Sequence, residues 1–308
     1  ARLAKTDVST ANARRAFVHT SRSGVELSRK LDDKALNQFV QLDAKSQRMV
    51  VEAWRADREV SGGEIGSDGL DIMIRQGTDV RGLGRISGLS TGETRKLLRA
   101  YGRSPEVTKG PLTDAGSLQS ALEDLSKNKV DGLDEAVEDI SGTKTGYKGI
   151  AGEADIADGL KDGNYDIDAA DIQMEVDIKA RDLPEKVRKS NEFKAGTDID
   201  VKVDGKITVN GKTMDSPAIE SKNIGPNLPP SLRESQQIEP LTEKLSTIGS
   251  SGENEIIVVV RQEYINSLDK KTINEVENDV NKALDKIQTG NVPDEVDIEF
   301  ITFRDMRE

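Results

Sequence analysis

The stretch EIIVVV, residues Glu255 to Val260, constrains the fold of this chain more than any other. A run of apolar, mostly β-branched residues favours an extended strand. With no polar residue alternating along it, neither face of that strand can meet water, so it belongs inside a sheet covered by helices on both sides. Sequences suited to that cover flank it: SLRESQQIEPLTEKLSTIG from Ser231 and LDKKTINEVENDVNKALDKIQ from Leu268. Further strands are expected at DIQMEVDIKA, DIDVKV, KITVN, PAIESKNI and EVDIEFITF, with tight turns at Asp204-Gly205 and Asn210-Gly211. A helix over GYKGIAGEADIADGL, from Gly146, precedes them all. The expected class is mixed α/β (α+β).

The first hundred residues read differently. DDKALNQFVQLDAKSQRMVVEAWRADREV has Leu36, Phe39, Val40, Met49, Val50, Val51 and Trp54 near helical spacing, with Asp32 or Asp33 as N-cap. RISGLSTGETRKLLRAYGR has the outline of a helix-turn-helix end, a turn at Gly88-Leu89-Ser90 followed by a helix from Thr91 to Tyr101. Arg95, Lys96, Arg99 and Arg103 would lie along that helix as donors to phosphates and base edges. The blander reading is a basic, solvated helix that packs Leu97 and Leu98 inward. Pro105, Gly110 and Pro111 mark a boundary, and LQSALEDLSKNKVDGLDEAVEDI reads as one acidic amphipathic helix beyond it. The expected organisation is a helical, relatively basic domain over 1–110, a linker with an acidic helix over 111–145, and an α/β domain over 146–308.

Charge is unevenly spread along the 308 residues: the balance is +6 up to Gly110 and -18 beyond it, giving -12 in all. An acidic domain binds phosphates only where metal ions and placed lysines reverse the local field. Cysteine is absent and His19 is the single histidine. Disulfides, zinc-thiolate sites and thiol nucleophiles are thereby excluded, and Ser-His-Asp triads and multi-histidine metal sites are not expected. Acid/base or metal chemistry must use carboxylates, lysines and water. His19, Trp54 and Met174 read as ordinary core or surface residues. No run of 18 or more apolar residues exists, so no membrane-spanning helix is expected. The chain begins at Ala1 and reads as a processed product or an excerpt, which leaves its compartment open between cytoplasmic and delivered or secreted.

Residues two apart on a strand share a face. Asp198 and Asp200 therefore project together, as do Glu220 and Lys222. If DIDVKV and AIESKNI lie in one sheet, Asp200 and Glu220 can close on one divalent cation, and oxygen ligands select Mg²⁺ or Mn²⁺ over zinc. Lys222 would stand beside it to orient water or offset charge on a phosphate. A surface charge pair is the ordinary alternative for a lone ESK.

Glu153 in a helix, Asp200 on a strand and Glu220-Ser221-Lys222 on a later strand together resemble the PD-(D/E)XK nuclease superfamily. The resemblance covers about half the chain, and the order helix, three-stranded meander, helix, strand is similar. It implies a restriction-endonuclease-like mixed sheet flanked by helices, with Asp200 and Glu220 as metal ligands and Lys222 and Glu153 as further catalytic residues. It also implies Arg233, Gln236 and Gln237 as contacts to DNA. The proline of the family pattern is absent, Thr197 preceding Asp198. A competing register pairs Asp166 or Asp168 with Asp177-Ile178-Lys179.

The expected function is Mg²⁺- or Mn²⁺-dependent endonuclease action on DNA. The layout resembles a polymorphic nuclease toxin, which would need an immunity protein as partner. Alternatives are a restriction or repair nuclease using the helix-turn-helix-like segment, and an inactive nuclease fold that only binds nucleic acid. No oligomer interface is readable.

Overall fold

The computed structural model describes residues 20, 22–61, 65, 67–86, 89–103, 111–112, 114–138, 140, 146–163, 165–190, 193, 196–222, 237–266, 270–287 and 292–307. Two compact units form, one from 1–127 with 137–151, the other from 128–136 with 152–308. The protein is mixed α/β, with a five-stranded mixed sheet, a separate two-stranded antiparallel sheet and many helices. No helix among the described residues is long and apolar enough to cross a membrane.

The first unit is helical. After a helical segment over 22–28 (α1) come α2 (Asp33–Gln41), α3 (Ala44–Ser61), α4 (Ser67–Arg75), α5 (Gly77–Leu83), α6 (Thr91–Arg103) and α7 (Ala115–Lys127). The long helical tract of the sequence breaks in two at Leu42-Asp43. Asp32 caps α2 by accepting from the Ala35 amide at 2.7 Å. Asp43 caps α3, accepting from the amides of Lys45 and Ser46 at 2.9 and 3.1 Å. Ser90 and Glu93 form a capping box on α6: Glu93 N donates to Ser90 Oγ at 3.3 Å and Ser90 N to Glu93 Oε2 at 2.6 Å. Phe39, Trp54, Met73, Leu97, Leu98 and Tyr101 are buried here. Tyr101 also meets Tyr147 with ring centroids 5.1 Å apart.

The tract expected as a linker with one acidic helix carries two helices instead of one. Its first part, α7, buries Ala115, Leu118, Ala121, Leu122 and Leu125 and belongs to the first unit. A second helix, α8 (Leu133–Glu138), follows a break at which Lys129 and Gly132 take φ of 57° and 75°. A left-handed residue cannot continue a helix, which is why the amphipathic pattern does not run through.

The second unit holds the sheet. Its elements include the end of α9 (Gly146–Asp162), then β1 (Ile172–Ile178), α10 (Glu185–Arg188), β2 (Thr197–Val203), β3 (Lys206–Val209), β4 (Lys212–Asp215) and β5 (Ala218–Lys222). There follow α11 (Glu239–Ser250), β6 (Glu255–Val260), α12 (Gln262–Ile265), α13 (Lys270–Asp285) and β7 (Asp297–Thr302). The sheet runs β1-β2-β5-β6-β7, antiparallel over the first three strands and parallel from β5 to β7. As its composition requires, β6 is an interior strand, flanked by β5 and β7, with Ile256 to Val260 all fully buried. Leu241, Leu245 and Ile248 of α11 and Val276, Val280 and Leu284 of α13 share one core with Ile256, Val258 and Phe300.

The meander differs from the expected one in membership. KITVN does not join the main sheet; β3 pairs only with β4, through an Asn210-Gly211 turn with φ of 52° and 78°. Two consecutive positive φ values make the tight turn that matches strand twist. The hairpin is an insertion, and β2 and β5 lie directly side by side, with Val201 opposite Ile219.

Candidate functional site

The β2–β5 pairing brings Asp200 and Glu220 onto neighbouring strands at the next register position beyond Val201 and Ile219. Both are buried, at 5% and 0% exposure. Charges almost never go inside unless paired, and the pairing here has two sources. Lys222 Nζ donates to Glu220 Oε1, the i, i+2 contact that strand alternation allows. From α11, Lys244 Nζ lies 2.9 Å from Asp200 Oδ1, 2.7 Å from Glu220 Oε2 and 3.2 Å from Asp198 Oδ2. The other oxygen of Asp200 accepts the Ser221 backbone amide at 2.6 Å. Glu220 Oε2 sits at ion-pair distance from Lys244 yet off the direction of any hydrogen bond.

Two further carboxylates close the centre. Glu153 of α9, Glu175 of β1 and Asp200 each place an oxygen within 4.8 Å of the others. By register Glu175 stands opposite Asp200, between the pairs Met174–Val201 and Val176–Ile199. Its φ is 50°, a left-handed conformation inside a strand, while the register on both sides continues unchanged. Such a residue costs on the order of 1–3 kcal/mol and persists only where its surroundings hold it. The surroundings here include the strap before α8: Met174 N donates to Asp131 O at 2.9 Å. A Cβ on Gly132 would meet Met174 O at 1.9 Å.

Crowding perturbs the acids. Burial first, then the charges of Asp200 and Glu175, push Glu153 well above the usual carboxylate range. Burial, then Asp198 and Asp200, push Glu175 up to about 8. Their oxygens lie within 4.8 Å of each other, close enough for each carboxyl to perturb the other. Burial works against the Lys244 ammonium, but Glu220, Asp200 and Asp198 outweigh it and hold it charged well above its ordinary range. Five carboxylates thus face two ammonium groups in one low-dielectric place. So many carboxylate oxygens in one buried place, with two of the acids held back from ionising, suit a hard divalent cation whose charge would let them ionise.

The other candidate residues are distributed as follows. Asp177 and Lys179 form a solvent-exposed pair at 3.7 Å with side chains 70% and 53% exposed, and Asp166 and Asp168 are exposed as well. Arg233 and Gln236 lie outside the described residues. Gln237 is described just before α11, with its Oε1 buried and without a hydrogen-bond partner. The α6 cations do not form an outward stripe. Arg103 is 3% exposed and donates to Asp57, and Arg99 Nε lies 3.7 Å from the same carboxylate. Arg95 pairs with Glu52 at 3.2 Å and Lys96 with the Glu138 carbonyl at 2.5 Å. Arg95, Arg99 and Arg103 follow one another at i, i+4, so they share a face, and that face turns toward the acids of α3. Of the four expected donors, Arg99 and Arg103 are thus turned onto Asp57, while Arg95 and Lys96 keep side chains 52% and 42% exposed.

Sequence reasoning missed Glu175 and Lys244. For Lys244 a signal existed: Leu241, Lys244, Leu245 and Ile248 repeat at the spacing of a core stripe, and all four are buried. A lysine on such a stripe needs a buried acid. Glu175 carried no comparable local signal, since a left-handed residue within a strand is not written in sequence pattern. A groove between α11 and α13, bordered by Glu243, Ser246, Glu275 and Asp279, does not include the centre's residues. No family model, no curated protein and no solved structure matches the chain.

Proposed function

We propose that this chain is a divalent-metal-dependent nuclease that hydrolyses phosphodiester bonds of DNA at the acidic centre, with Mg²⁺ or Mn²⁺ as its cation. The observation that carries the reading is the convergence of Glu153, Glu175, Asp200, Glu220 and Lys222 from four separate elements, with more carboxyl groups than two lysines can pair. The donor set is all oxygen, as Mg²⁺ and Mn²⁺ prefer, and burial together with neighbouring acids raises Glu153 and Glu175, a strain that a bound cation would relieve. Asp200 with Glu153, Glu175 or Glu220 would hold the cation. When bound, such a cation lowers the pKa of a water and polarises a phosphoryl oxygen.

The chain's own groups supply the rest. Lys222, with its side chain 25% exposed, has a tip that can leave Glu220 for a phosphate oxygen. Its positive charge then offsets the charge that grows on the phosphoryl group. The Ser221 amide fixes Asp200 through its second oxygen, so that carboxylate keeps one orientation. The resemblance to PD-(D/E)XK nucleases supports the same assignment of Asp200, Glu220 and Lys222. A reading in which α6 reads a DNA groove loses support, because Arg99 and Arg103 are turned onto Asp57.

The test is incubation of supercoiled plasmid with the purified chain in Mg²⁺, Mn²⁺ or EDTA, beside Glu220→Ala. Metal-dependent nicking that the substitution removes is expected. Absence of cleavage of DNA and of RNA with either cation sinks the proposal.

A further inference from the structure

The two lysines of the centre are placed for different work. Lys222 sits at a strand end and touches Glu220. Lys244 rises from the buried stripe of α11 with its side chain 9% exposed, and its ammonium is cradled by Asp198, Asp200 and Glu220 at 3.2, 2.9 and 2.7 Å. Three carboxylate oxygens from adjacent strands around one compact charge are the makings of a cation site. Here the charge is the protein's own, on a flexible four-carbon stem.

Packing alone gives no reason for it. An apolar side chain at this position would continue the Leu241–Leu245–Ile248 stripe, and buried ion pairs are frequently no more stabilising than well-packed apolar residues. What a lysine adds is neutralisation of Asp200 and Glu220, two carboxylates that the metal-dependent reading needs close together. Without a cation they would repel one another across the strand pair. The ammonium and a divalent cation cannot both hold the same oxygens without strong like-charge repulsion.

We propose that Lys244 is a tethered counter-ion, a positioning residue that holds Asp200 and Glu220 together and competes with the divalent cation for them. The inference rests on the metal-dependent reading of the same centre. With Asp200 and Glu220 given over to a cation, the Lys244 ammonium would keep only Asp198, whose side chain is 40% exposed. The site is thereby kept assembled yet held at moderate cation affinity.

The test is Mn²⁺ binding by calorimetry to the whole chain and to Lys244→Met, with melting temperature read with and without Mn²⁺. The variant is expected to bind at least about tenfold more tightly, because a competing positive charge is gone. Its melting temperature should fall in EDTA and recover with Mn²⁺ by more than the wild type gains. Unchanged or weaker affinity, with the same stability loss in EDTA and in Mn²⁺, overturns the proposal and leaves Lys244 a purely structural ion pair. Should the variant not fold, the wild type labelled with ¹⁵N at its lysine ammonium groups decides. The Lys244 signal should move in step with saturation by Mg²⁺, and a signal that stays fixed while Mg²⁺ binds overturns the inference. If the wild type binds Mn²⁺ and cuts DNA but Lys244→Met binds no more tightly, this inference alone fails. If only the variant binds Mn²⁺, the counter-ion stands and the metal-dependent reading falls. If neither binds, both fail.

Discussion

Raising the pH in the absence of divalent cations should destabilise this protein through Glu175. In the folded chain burial and the charges of Asp198 and Asp200 push its carboxyl up to about 8, against an ordinary value of 4.5. Below 4.5 both folded and unfolded chains carry the proton and no difference arises. Between 4.5 and about 8 the unfolded chain releases the proton while the folded chain keeps it, so stability falls as pH rises through that window. A shift of that width sets a ceiling of about 5 kcal/mol. Glu175 keeps part of its surface in water, and screening reduces the expected loss to roughly 2 kcal/mol. Glu153, also raised, adds in the same direction. Urea denaturation in EDTA at pH 5.5 and at pH 8.5 measures the difference, beside Glu175→Gln, which cannot ionise. The wild type should lose stability across the interval, and Glu175→Gln should lose distinctly less. Equal slopes for the two proteins, or a wild type that gains stability as pH rises, would refute the reasoning about this carboxyl.

Other perturbations separate the parts of the account. Asp200→Ala, Glu220→Ala and Lys222→Ala should each lower plasmid cleavage at least about a hundredfold, while Asp177→Ala and Lys179→Ala, on an exposed pair, leave it near the wild-type rate. Asp57→Ala removes the buried carboxylate that Arg99 and Arg103 face and should destabilise the helical unit by a few kcal/mol, about 2–4, in denaturant titration. Gly132→Ala forces a Cβ against Met174 O at a φ of 75°, so a loss of about 2 kcal/mol or more is expected, visible as a lowered melting temperature.

Much of the fold was open to direct reading because it depends on local pattern. The unbroken apolar run of β6 implied a covered interior strand, and alternation placed Asp198 with Asp200 and Glu220 with Lys222. The Asn210-Gly211 turn announced a hairpin, but a turn carries no information about which sheet its strands join. That choice depends on pairing at a distance, and β3 and β4 pair with each other alone. The inward turn of Arg99 and Arg103 escaped for a similar reason. Their partner Asp57 lies some forty residues earlier, on a helix that looks continuous until Asp43 is recognised as a cap. In the acidic centre, Asp200, Glu220, Lys222 and Glu153 were legible as a pattern. Glu175 enters only through the folded register and a left-handed backbone, and Lys244 only if a lysine on an apolar stripe is taken as a demand for buried acids.

The most direct measurement is anomalous scattering from a crystal of the wild-type chain grown with Mn²⁺. A manganese peak within coordination distance of the Asp200 carboxylate, shared with Glu153, Glu175 or Glu220, is the predicted result. A saturated crystal with no peak at Asp200, or with manganese bound only at exposed acids such as Asp177, would contradict the claim that this centre exists to hold a cation.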